Sequence, residues 1–151
     1  HDLKAELQKR AQAVCDQHFA ALESTIRDCN NTICSQFEDI VRRVESESNH
    51  VEDLMETKTF LTAAGNGLSK TDADIVHVQD KLRVLSEFCY GISDTDFDLS
   101  CTAAMWPSKI RTILSQNEYR MEEDKRRFSN ELKDEQEAFV RELAKYSSDI
   151  A

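Results

Sequence analysis

Apolar residues recur along most of this chain at intervals of three, four or seven. Leu3, Leu7, Val14, His18, Leu22, Ile26, Cys29, Ile33, Phe37, Ile40 and Val44 trace one stripe, and residues 3–46 contain no glycine or proline. Such spacing predicts a single amphipathic helix, about 65 Å long at 1.5 Å per residue. A compact domain of this length has a radius of gyration of only about 15 Å, so the pattern predicts an elongated molecule.

The stretch Ser46-Glu47-Ser48-Asn49 offers the first break. Asn49, with Glu52 three residues on, reads as a capping box. Val51, Leu54, Met55 and Leu61 then predict a short helix over 50–64. Gly65-Asn66-Gly67 predicts its end, because glycine takes the left-handed conformation that closes many helices. Ser69, Thr71 and Asp72 restart the chain, and Ile75, Val78, Leu82, Leu85 and Cys89 predict a helix over 70–90 that stops at Gly91. In 93–105, Asp94, Asp96 and Asp98 alternate with Thr95, Phe97 and Leu99. This stretch reads as a solvated acidic turn with a short helical turn capped by Ser93. Proline disfavours the α conformation at Trp106 and suits a first helical turn. A last helix is therefore expected over 107–147, striped by Ile110, Leu114, Met121, Phe128, Leu132, Phe139, Leu143 and Tyr146. The chain opens at His1 inside a helical pattern with no initiator Met, which reads as a piece of something longer.

Composition sharpens this picture. Three glycines and one proline in 151 residues compare with about ten and about seven at average usage. Turn-rich β-sandwiches and barrels are thereby excluded. Charged residues make up 32% and aromatics 7%, the profile of long helices with wet outer faces. The balance of 29 acids against 19 bases gives a net charge of −10. No basic face is visible for nucleic acid, and an acidic chain is repelled by anionic membrane surfaces. No apolar run approaches the roughly 18 residues of a membrane span.

Candidate chemistry is sparse. Neither G-x-x-x-x-G-K-[ST] nor G-x-G-x-x-G occurs, so no phosphate cradle is expected, and there is no nucleophile elbow. A calcium loop counted from Asp94 would need Gly and Glu where Leu99 and Met105 stand. Five cysteines, Cys15, Cys29, Cys34, Cys89 and Cys101, form an odd set on helix faces, which reads as reduced thiols in an intracellular setting. No catalytic residue, metal, cofactor or small-molecule substrate is expected. The lone Trp106 is expected to be a structural anchor, buried against the 70–90 helix near Leu85 and Phe88. Phe97 would be a smaller anchor, and Pro107 would open the last helix.

An ordered set of segments resembles one family. Val51-Glu52-Asp53-Leu54-Met55-Glu56-Thr57-Lys58-Thr59-Phe60-Leu61 is similar to the VEELxELKxYL segment of dynein heavy chains, in the stem just ahead of the linker. Leu85 to Phe97 resembles the family's LLxxFxxxLSxxDF turn, and Trp106-Pro107-Ser108-Lys109-Ile110 its WPxxI helix start. Phe128, Leu132, Gln136, Phe139 and Leu143 are similar to the charged stretch that follows. The axonemal members resemble it more closely than the cytoplasmic ones. The resemblance implies a stem piece of a ciliary or flagellar motor, whose ATPase ring and microtubule-binding stalk lie far downstream.

The expectation is an all-α, elongated antiparallel helical bundle, with two long helices side by side and shorter connecting helices. Residues 1–151 form a single bundle. The expected role is non-catalytic: a rigid scaffold joining motor to anchor and to associated subunits, in the cytoplasm and the axonemal cytoskeleton. Expected partners are proteins, namely other dynein subunits or neighbouring stem segments, with no nucleic acid and no membrane. The rival reading is a spectrin-like or tethering bundle that acts as a protein-interaction module.

Overall fold

The computed structural model describes residues 2–46 and 50–150, with no side-chain description beyond Ser148. They form three helices: α1 over Asp2–Glu45, α2 over Val51–Glu87 and α3 over Asp94–Ile150. No strand occurs among the described residues. The all-α class and the elongated bundle are as expected. The 57 residues of α3 alone extend about 85 Å.

The helices run up, down and up. Glu23 on α1 meets Tyr90 just past α2, while Arg43 meets Glu56, so α1 and α2 are antiparallel. Arg27 meets Asp96, Asn30 meets Ser100, and Arg120 reaches the Val44 carbonyl, so α1 and α3 are parallel. The two long helices do lie side by side.

The connecting helices differ from the sequence reading. Gly65-Asn66-Gly67 lies inside α2, which continues unbroken. The stripe explains why. Leu54, Thr57, Leu61, Ala64, Leu68, Thr71, Ile75 and Val78 alternate spacings of three and four straight across the glycines, and all are buried or partly buried. Continuous packing outweighs the roughly 1 kcal/mol that each glycine costs a helix. At the start of α2, His50 N–H donates to Asp53 Oδ2 at 3.2 Å. The capping role expected of Asn49 falls outside the described residues.

Two further boundaries move. Helix α2 ends at Glu87, before Gly91, and Cys89 takes the left-handed conformation with φ 55°. Tyr90 N–H donates to Leu85 O at 2.9 Å, the long closing bond of a Schellman motif. The last helix opens at Asp94 rather than Pro107, which sits buried in its interior. Ser93 is the cap: Asp96 N–H donates to its Oγ at 3.2 Å. A proline here forfeits the bond to the Ala103 carbonyl one turn back. The small Ala103 side chain is itself buried in the core, as is Ile110, so packing on both sides of Pro107 carries the helix through.

The main core gathers Ile33, Phe37, Ile40 and Val44 of α1, Ile75 of α2, and Ala103 and Ile110 of α3. A second cluster of Ile26, Val78 and Leu85 lies toward the α2–α3 turn. Each large aliphatic or aromatic side chain so buried contributes about 1.5–3 kcal/mol.

Candidate interaction surface

The best-defined polar cluster clamps the α2–α3 turn to α1. Arg27 Nε donates to Asp96 Oδ1 at 2.7 Å and Nη2 donates to Oδ2 at 2.6 Å. Ser93 Oγ donates to the same carboxylate at 2.9 Å, and Tyr90 OH donates to Glu23 Oε2 at 3.0 Å. The Arg27 guanidinium, helped by Ser93, holds the Asp96 carboxyl down at about 2. The bond to Glu23 raises the Tyr90 phenol. Beside the clamp, Asn30 Nδ2 donates to Ser100 Oγ at 2.8 Å, and that hydroxyl donates to the Asp96 carbonyl. Asp96 is only 3% exposed, which corrects the reading of its stretch as a solvated turn. The signal was present as Ser93-x-x-Asp96, a capping-box spacing.

The five expected anchors do not meet. Trp106 is half-buried and stacks on Phe37 of α1, with centroids 5.6 Å apart and planes at 20°. It does not pack against Leu85 and Phe88. Leu85 is buried in the separate cluster with Ile26, and Phe88 is 65% exposed beside Phe19. Phe97 is 58% exposed. The geometry follows from the early start of α3, because the rise from Asp94 to Trp106 carries the ring about 18 Å from the turn. Burial pushes the nearby Cys34 thiol up, while the Trp106 indole opposes that shift. All five cysteines are free, and Cys15, Cys89 and Cys101 are exposed. Asn117, wholly inside the bundle, leaves both side-chain polar atoms without a partner.

The remaining conspicuous surface is apolar. A groove of about 770 Å³ runs between α2 and α3, floored by Leu54, Leu61, Leu114 and Met121, and edged by Met55 and Lys125. Both long helices also project beyond the bundle. Residues 2–18 of α1 and 129–148 of α3 are exposed throughout, although each continues its stripe. Among the described residues no three His, Cys, Asp or Glu side chains gather where they can hold a metal. No described helix is long and apolar enough to cross a membrane.

The relatives of the chain point to one family. The chain is 28% identical over 127 residues to Dynein axonemal heavy chain 1 of Homo sapiens, an alignment covering 84% of the chain and 3% of that protein. It is 29% identical over 148 residues to Dynein axonemal heavy chain 12 of Rattus norvegicus, covering 97% and 5%. The curated relatives of this chain are axonemal dynein heavy chains, and their alignments cover most of it. No family model and no solved structure matches it. The chain spans only a few per cent of the length of the curated relatives it matches. The second alignment takes in nearly all of the chain, the first helix included.

Proposed function

We propose that this segment is part of the stem of an axonemal dynein heavy chain and acts as a rigid spacer between motor and anchor. The observation that carries the reading is the parallel ladder between α1 and α3. It runs from Arg27–Asp96 through Phe37–Trp106 to the Arg120–Val44 contact. Load entering at the start of α1 and leaving at the end of α3 is shared by every rung of that ladder. Interiors packed at crystal-like density deform little, and packed helices have few alternative crossing geometries.

The test is a full-length heavy chain carrying Phe37→Asp and Ile110→Asp, which place charges in the main core. The expected result is unchanged ATP hydrolysis with a loss of force between the doublet and the microtubule it moves. Loss of ATP hydrolysis itself would overturn the spacer reading, and so would undiminished force from a segment shown to be unfolded.

The groove between α2 and α3 favours a second reading, a module that binds a partner helix. Met55 is 65% exposed at its edge, and methionine surfaces adapt readily to apolar partners. A spacer and a docking platform are compatible on one bundle.

A further inference from the structure

The groove between α2 and α3 runs on from Leu114 and Met121 into a second hollow of about 400 Å³, where Val51 and Leu54 share the lining with Phe128 and Leu132. From Leu114 to Glu135 it measures about 30 Å at 1.5 Å per residue, the span of about 20 helical residues. Val51, Met55 and Leu132 stay exposed along it. Two details give the groove a chemical character. Its α3 edge carries Glu118 and Glu135, 17 positions apart. Neither joins an ion pair among the described residues, whereas the neighbouring Glu122 is matched by Lys125 at 3.8 Å. The α2 edge carries a single charge, Lys58, which is also unpaired among the described residues. The second detail is Gly65, which lines the groove with nothing within 4 Å of where its Cβ would lie. Glycine weakens a helix interior, and no contact within the chain requires it here. What the missing side chain supplies is room in the groove.

We propose, resting on the second reading above of a module that binds a partner helix, that the groove takes an amphipathic helix of a separate polypeptide. That helix is about 20 residues long, basic along the edge that meets α3 and acidic where it meets Lys58. Its apolar seam covers Leu54, Met55, Met121 and Phe128, adding a fourth helix to the bundle. Two Lys or Arg side chains about 25 Å apart along it reach Glu118 and Glu135. A large apolar side chain fills the space over Gly65. A second copy is a poorer occupant. It brings the same acidic edge on a chain of net charge −10, and like charges across an interface oppose each other.

The probe is a labelled peptide of about 20 residues with a leucine seam, two lysines 17 positions apart on one edge and a glutamate on the other. A companion peptide has these charges exchanged. Fluorescence anisotropy with the 151-residue chain should show the basic-edged peptide binding at least tenfold more tightly than its companion. Glu118→Lys with Glu135→Lys should reverse that preference. Gly65→Leu should weaken binding at least tenfold without lowering the melting temperature. Gly67→Leu, in a different hollow on the α1 side of α2, should leave binding unchanged. Undiminished binding by Gly65→Leu would put the peptide elsewhere and overturn the proposal. Equal binding of both peptides would also overturn it, leaving a helix-binding module without charge preference, and no binding of either at 100 µM would remove the module as well. In the full-length heavy chain freed of other subunits, Met55→Cys should react with maleimide as fast as an exposed thiol, read by mass spectrometry of its peptide. A protected thiol would show the groove filled by the heavy chain itself, or by a second copy if protection fades on dilution, and either result overturns the proposal.

Discussion

Arg27 and Asp96 close a two-pronged ion pair across the α1–α3 interface, with both bonds under 2.8 Å. The arginine is half exposed and the aspartate almost wholly enclosed. Removing the carboxylate therefore costs more than removing an ordinary surface charge, since Ser93 and Arg27 both lose their acceptor.

The pair makes stability depend on acidity. Asp96 titrates at about 2 when folded, against an ordinary 3.8. A lowered folded value means that the stabilisation is complete well above 3.8 and is lost as pH falls from there through about 2. Urea denaturation between pH 7 and pH 2 should show this fall. Asp96→Asn should lower stability at pH 7 and flatten that part of the profile. An unchanged slope would show that Asp96 is not the titrating group.

The Phe37–Trp106 stack can be read by fluorescence, because Trp106 is the only tryptophan. Its emission should be blue-shifted from that of hydrated indole, and Phe37→Ala should move it toward the red. Phe37→Ala should also cost about 3–5 kcal/mol, as for other buried aromatic truncations. Phe97→Ala and Phe88→Ala remove exposed rings and should cost much less. Equal losses at all three positions would contradict the arrangement.

Gly65 and Gly67 have helical surroundings with open space where a Cβ would lie. Gly65→Ala and Gly67→Ala should each stabilise the chain by about 0.5–1 kcal/mol. Cys89→Gly should do the same at the left-handed position. Thermal melts suffice to check all three, and a fall in midpoint for either alanine would indicate a bent or broken α2.

Asn117 is the polar residue least satisfied by its surroundings. Asn117→Leu, close in volume, should remove a buried desolvation cost of about 1–3 kcal/mol. Denaturant titration would detect the gain. A loss would mean that a water or a partner side chain satisfies the amide in solution.

Class and elongation were legible because periodicity records which faces are buried. The stripe from Leu22 to Val44 maps onto the core almost position by position. Boundaries were less legible, because single residues marked them and tertiary packing overrode the marks. Gly65 and Gly67 gave way to the stripe that continues through Ala64 and Leu68, and Pro107 gave way to packing around Ala103 and Ile110. The anchor set failed for a related reason. With α3 thought to begin at Pro107, Trp106 belonged at the turn, but thirteen residues earlier Asp94 had already started the helix. Asp96 looked like one of three equivalent aspartates. Its burial depends on Arg27, which lies 69 positions away and which local spacing cannot register.

The parallel course of α1 and α3 also sets an order of assembly. Contacts between them join residues 69, 70 and 76 positions apart, whereas each antiparallel neighbour is reached through one short connection. Closing the longer loops carries the greater entropic cost, so the hairpins should form before the ladder. On a ribosome, α1 and α2 can pair while α3 is still being made, but the core around Ile110 stays open to solvent until that residue emerges. The half-built hairpin exposes the faces of Phe37 and Ile75 during that interval. Its vulnerability to aggregation is therefore governed by translation speed across residues 94–120 rather than by the strength of the finished bundle.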